Sequence, residues 1–313
     1  MNLSHAYSAP PPRDAAERVL RTALECGVTM FDTAALYGFG ANEELLGAVL
    51  TPHRADIVLA SKCGMFRNEA GVRTIDARPD TLRRTCDDSL TRLKTDVIDL
   101  YYLHRKDPHV PIEDSIGALS GLVQQGKVRT IGLSEVSAAT VRQAHAVHPV
   151  TAIQSEYSLW TRNPEIAVLD ACRELGVTFV AFSPLARGFL CGELRNPDAE
   201  LETRDIRRAM PRFTTENYAR NLRLLDEYGA IASEAGCTWA QLALAWLLAK
   251  EPFIVPIPGT RQPSHVIENM GAGDLPPLAA SLVARLDALI NQRTVAGKRY
   301  NDATQQEIDT ENF

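Results

Sequence analysis

The chain has 313 residues with 33 Lys plus Arg against 39 Asp plus Glu, a formal charge of −6 and no long basic block, which argues against a nucleic-acid partner. A hydrophobic content of 45% supports a sizeable core, yet no window approaches the ~18 consecutive apolar residues of a membrane span, and residues 1–12 lack a secretory signal pattern. Six scattered cysteines, without a C-x-x-C pair, point to reduced thiols in the cytoplasm rather than a disulfide framework or a zinc site.

Along the chain, Pro10-Pro11-Pro12 breaks any regular structure, and residues 14–26 place apolar residues at helical spacing before Gly27. Residues 28–31 read as a buried strand ending on Asp32, and residues 42–50 as a helix capped by Asn42. The alternation continues with strands at 56–62, 97–104, 128–134, 152–154, 177–183 and 253–257. Helices are predicted at 79–93, 111–125, 138–147, 164–175, near 217–235, at 239–249 and at 282–290. Residues 187–216 read as a loop over the mouth and 291–313 as a polar tail. This alternation implies a closed parallel barrel or a doubly wound sheet. Seven strands are evident, so closure of an eight-stranded barrel would need the first nine residues to supply the eighth.

Several strands end on reactive groups: Asp32, Lys62 and His104, with Tyr37 in the loop after the first. Each has an ordinary reading: Asp32 as a helix cap, Tyr37 as a surface aromatic, Lys62 as a partner of Asp32, His104 as a structural histidine. Together at one barrel rim, where catalytic groups collect, they suggest proton donation. An ammonium about 4 Å from a phenol contributes roughly 4 kcal/mol at an effective dielectric of 20, about three pKa units, so Lys62 is expected to acidify Tyr37. His104 would hold a carbonyl oxygen while Tyr37 protonates the developing alkoxide.

The set D-T-A-x-x-Y-G at Asp32–Gly38, Lys62, L-H-R at Leu103–Arg105, I-G-L-S at Ile131–Ser134, Q-S-E-Y at Gln154–Tyr157, S-P-L at Ser183–Leu185 and I-P-G-T-R at Ile257–Arg261 with Glu268-Asn269 resembles the aldo-keto reductases. The resemblance implies a single α/β domain over residues 1–313, a (β/α)8 TIM barrel that binds NADP(H) without a Rossmann fingerprint. It implies a catalytic tetrad of Asp32, Tyr37, Lys62 and His104, with Tyr37 as general acid. Ser134 and Gln154 match the carboxamide-binding positions, Phe182 the aromatic that stacks on the nicotinamide, and Ser183, Leu185 and Arg187 the pyrophosphate loop. Gly259, Thr260 and Arg261 match the 2′-phosphate site; Glu268 and Asn269 match the adenine contacts.

Against the family pattern, His265 stands where many relatives place an arginine, and Glu135 replaces an asparagine that commonly follows the nicotinamide-binding serine. The amino end lacks the hairpin that usually plugs the barrel floor and begins within the expected first strand, which is therefore read as truncated. Trp160 is a candidate substrate contact or a lid-packing residue. Arg105 and Arg212 either attract an acidic substrate or form surface salt bridges, the latter being the preferred reading.

The expected activity is NADPH-dependent reduction of an aldehyde or ketone, with a small-molecule carbonyl substrate and no membrane or nucleic-acid partner. One alternative is a dinucleotide-binding regulatory subunit with little turnover. Another is an aldolase using Lys62 as a Schiff-base nucleophile, which the neighbouring Asp32 disfavours by stabilising the ammonium.

Overall fold

The structure is a computed structural model that describes residues 3–67 and 72–313. Short apolar runs separated by amphipathic segments form strands buried on both faces, as parallel sheets covered by helices require. The strands are β1 (Met30–Asp32), β2 (Val58–Cys63), the antiparallel hairpin β3 (Met65–Arg67) and β4 (Arg73–Ile75), β5 (Ile98–Leu103), β6 (Val128–Ser134), β7 (Val150–Glu156), β8 (Thr178–Phe182) and β9 (Ile254–Ile257). All but the hairpin form one parallel sheet in the order β1-β2-β5-β6-β7-β8-β9, a barrel that is nearly closed.

Side chains alternate across each strand and so divide the core in two. Ala60, Leu100, Tyr102, Ala152 and Val180 pack together inside the barrel. Tyr101, Leu103, Ile131, Leu133 and Ile153 belong to the larger core beneath the surrounding helices. A Cβ added to Gly132 would lie 2.5 Å from the Tyr102 ring, so glycine there makes room for the tyrosine inside the barrel.

The helices covering the sheet include α1 (Arg13–Glu25), α2 (Ala41–Leu50), α3 (Pro79–Leu93), α4 (Ile112–Gln124), α5 (Ala138–Val147) and α6 (Val168–Leu175). Their spans follow the apolar periodicity closely; β6, α3 and α5 coincide with the predicted ranges. The cap of α2 differs. Gly40, in the left-handed region at φ 99°, occupies the cap position, while Asn42 lies within the helix and accepts a 2.8 Å bond from Thr33 Oγ1.

The amino-terminal segment also departs from expectation. Met1 and Asn2 lie outside the described residues, and residues 3–9 form turns and bends instead of an eighth strand. They lie against the barrel mouth, where Asn42 Nδ2 donates to Ser4 Oγ and the Ile206 amide to the carbonyl of Ala6. Among the described residues, β1 and β9 are therefore the two edges of the sheet.

Residues 187–216 are not one irregular loop: they contain helical turns at Ala186–Cys191, Pro197–Glu200, Ile206–Ala209 and Pro211–Phe213. Their charged residues bond locally, as Arg207 does with Asp205. The polar tail likewise folds back on the barrel. Arg299 donates to both oxygens of Glu135 at 2.7 Å, and Asp309 accepts from Ser137, Thr140 and Lys106.

Candidate active site

Parallel register brings the strand ends to one rim. Asp32 pairs with Ala60 and Lys62 with Tyr102, so Asp32, Lys62 and His104 finish three adjacent strands side by side. His104 is fixed by its amide, which donates to the carbonyl of Cys63 at 2.9 Å. Tyr37 follows β1 at the start of a tight turn, Tyr37–Gly40, where Gly38 and Phe39 adopt φ 59° and 54°. The turn directs the phenol back over the rim.

Lys62 is completely buried and ion-paired with Asp32. Its ammonium also donates to the Thr33 carbonyl at 2.8 Å and lies 4.9 Å from the centre of the Tyr37 ring. The Tyr37 and His104 rings meet edge-on with centroids 5.8 Å apart.

Burial raises the pKa of Tyr37 above the ordinary 10, and the Lys62 ammonium opposes this without reversing it. Lys62 does lower the Tyr37 pKa, by its charge and by a hydrogen bond, but the cost of taking a phenolate out of water is larger, so the net shift is upward. Burial also pulls the Lys62 pKa down, but Asp32 and Tyr37 more than offset it, and the ammonium is retained. A buried, charged lysine is not a Schiff-base nucleophile, which removes the aldolase reading. His104 is driven well below 6.5 by burial, with Arg105 and Lys62 adding to the effect. The arrangement therefore presents a neutral phenol and a neutral imidazole, both able to donate to one oxygen atom.

From this cluster a cavity of about 1480 Å³ runs across the end of the barrel and down the open edge of β1, where Val19, Ala23, Val28 and Met30 line it. Asp32, Tyr37 and His104 line it, as do Ser134, Gln154, Phe182, Ser183, Leu185, Arg187, Gly259, Thr260, Arg261, His265, Glu268 and Asn269. Every residue assigned to the dinucleotide by resemblance faces this one space. Lys62 sits beneath its floor.

Three features of the groove suit a dinucleotide. Ser183, Ala186, Arg187 and Gly188 all take left-handed backbone angles, between φ 51° and 91°, the type of conformation that turns successive amides toward an anion. Arg261 bonds only the carbonyls of Tyr7 and Ala9, at 2.8 Å each, and so retains an uncompensated charge among the described residues. The Asn269 side-chain oxygen is buried without a hydrogen-bond partner among the described residues. Gln154 donates to Asp32 at 2.8 Å, tying the carboxamide-binding position to the tetrad.

Other positions are corrected. Trp160 is only 3% exposed, stacked on Phe189 at 4.1 Å and edge-on to Phe213, and it does not line the cavity. It is a packing residue because the segment 186–213 folds over it. Arg212 is half-buried, donating to Thr161 Oγ1, the Trp160 carbonyl and the Gly297 carbonyl; among the described residues it makes no salt bridge. Glu135 is fully buried, at φ 57°, and turned to Arg299.

The sequence reading missed several residues at the mouth. His5 packs against Tyr37 with ring centroids 5.5 Å apart, and burial lowers its pKa to about 4. Tyr7 and Tyr300 both place hydroxyls beside the Arg187 guanidinium, at 3.4 and 3.1 Å. Nothing local marks them; residues 3–9 and the tail carry no periodic pattern. Glu156 joins the two sides of the mouth, accepting from Arg187 at 2.7 Å, Arg299 at 3.1 Å and Tyr300 at 3.2 Å.

The profile of the Aldo/keto reductase family matches residues 1–291. A Schizosaccharomyces pombe protein named as the NADP(+) aldo-keto reductase yakc is 43% identical over 302 residues, covering 95% of this chain and 88% of its own. Among solved structures, a glycerol dehydrogenase from Gluconobacter oxydans superposes with a TM-score of 0.83 at 28% identity, covering 93% of this chain and 89% of its own. A Klebsiella pneumoniae aldo-keto reductase in complex with NADPH gives 0.68 at 27% identity, covering 92% and 89%. The chain belongs to the aldo-keto reductase family.

Proposed function

We propose that the protein reduces an aldehyde or ketone to the alcohol with NADPH, Tyr37 acting as general acid. The observation that carries this reading is the Tyr37–Lys62–Asp32–His104 cluster at the end of the long groove. Ser134, Gln154 and Phe182 would hold the nicotinamide, Ser183, Leu185 and Arg187 the pyrophosphate, Gly259, Thr260 and Arg261 the 2′-phosphate, and Glu268 and Asn269 the adenine. His265 adds a side chain beside that site in place of the more usual arginine. NADPH when bound would supply hydride to the carbonyl carbon and be oxidised to NADP⁺.

The residues of this chain handle the oxygen. Neutral His104 donates a hydrogen bond to the carbonyl oxygen, and Tyr37 gives its proton to that oxygen as the C=O π pair moves onto it. Lys62 stabilises the phenolate left on Tyr37, and Asp32 keeps Lys62 charged and in place. Tyr37 then regains a proton from solvent.

Steady-state reduction of 4-nitrobenzaldehyde by wild type and Tyr37→Phe tests the assignment, with NADPH and NADH titrated by fluorescence. Turnover should fall about 10²–10⁴-fold in the variant, the usual contribution of a positioned general acid, while NADPH still binds. Equal turnover in the two proteins would refute the role of Tyr37.

A further inference from the structure

Arg105 immediately follows His104 and lines the same cavity as Tyr37 and Ser134. Its Nη1 donates to the His104 carbonyl at 2.6 Å and, at a longer 3.3 Å, to Ser134 Oγ. Its Nε–H is buried and has no hydrogen-bond partner among the described residues. Of the other arginines lining the cavity, Arg73, Arg187 and Arg207 each have a carboxylate partner, in Glu307, Glu156 and Asp205, Arg195 lies over the Trp239 ring, and Arg261, assigned above to the 2′-phosphate, bonds the Tyr7 and Ala9 carbonyls. Arg105 meets only neutral oxygens among the described residues.

A part-buried guanidinium with an idle N–H and no counter-charge is electrostatically incomplete. Its planar fork matches a carboxylate, which can accept two parallel hydrogen bonds. The backbone places this cation one residue beyond the imidazole assigned to the carbonyl oxygen. A ligand carboxylate held by Arg105 must therefore belong to a small molecule whose reacting carbonyl is only a few bonds away.

Resting on the reading of this cavity as a carbonyl-reducing site, we propose that the substrate is a short oxo acid. It carries its carboxylate within about two carbons of the carbonyl. Arg105 is the residue that selects it. Glyoxylate and 4-oxobutanoate represent the class; acetaldehyde and butanal are their uncharged counterparts.

The test compares kcat/KM with NADPH for each acid and its neutral counterpart, in wild type, Arg105→Met and Arg105→Lys. Wild type should prefer the acid in at least one pair. In Arg105→Met that preference should fall about tenfold to a hundredfold, the range of one charge-assisted hydrogen bond, mostly through KM. Arg105→Lys should keep part of the preference, because the charge remains while the fork is lost. Reduction of the neutral aldehydes with no preference for either acid, or a preference unchanged in Arg105→Met, overturns the proposal and leaves the carbonyl-reductase reading standing. If wild type reduces none of these compounds, nor 4-nitrobenzaldehyde, faster than Tyr37→Phe does, both readings fall. Should Arg105→Met not fold, the wild-type preference and the Arg105→Lys variant decide the matter.

Discussion

Replacing Glu156 by Gln removes the carboxylate shared by Arg187, Arg299 and Tyr300. Burial alone would raise the pKa of Glu156, but Arg187, Arg299 and Arg212 lower it from the ordinary 4.5 to about 2. That lowering corresponds to about 3 kcal/mol at pH 7. Because the folded-state pKa is lowered, this stability is fully present above about pH 4.5 and is lost as pH falls through about 2. At about 2.1 cal/mol/K per residue, 313 residues give an unfolding entropy near 0.66 kcal/mol/K, so the melting temperature should fall by about 5 °C. Thermal unfolding of wild type and Glu156→Gln at pH 7 and pH 3.5 measures both terms. The gap should shrink by about 1 kcal/mol between the two pH values, as linkage requires for a lowered folded-state pKa. A gap that is the same at both, or absent at pH 7, would refute the account of the cluster.

Lys62→Met leaves the Asp32 carboxylate without its cation at a nearly enclosed position, which should cost about 3–5 kcal/mol and lower the melting temperature by about 5–8 °C. Differential scanning calorimetry checks it, and a shift under about 1 °C would contradict the buried pair. For pH dependence, Tyr37 must be protonated to act as the acid and His104 neutral to donate without carrying charge. With Tyr37 raised above 10 and His104 held well below 6.5, kcat/KM for reduction should be level between about pH 6 and pH 9. An inflection near pH 6.5 in that profile would mean that His104 titrates as an exposed imidazole.

The strand ends were legible because a strand's apolar run and its terminal polar residue are neighbours in the chain. Asp32, Lys62 and His104 each stand at the close of such a run, and parallel strands laid side by side must gather their carboxyl ends on one rim. The same local periodicity marks β6, α3 and α5. It does not mark residues 3–9, whose turns are set by contacts with Asn42, Arg261 and Ile206 at the mouth.

What the sequence by itself determined was the alternation of elements and the residues standing at the strand ends, since these follow from spacings of two to four residues; spacing left a barrel and a doubly wound sheet both open, and the resemblance to a family pointed to the barrel. Only the tertiary structure decided that Arg299 reaches back 164 positions to Glu135, that Trp160 disappears beneath Phe189, and that burial outweighs Lys62 in setting the acidity of Tyr37. Those outcomes depend on which distant groups share a volume and how much water they exclude, and no short window of sequence contains either quantity.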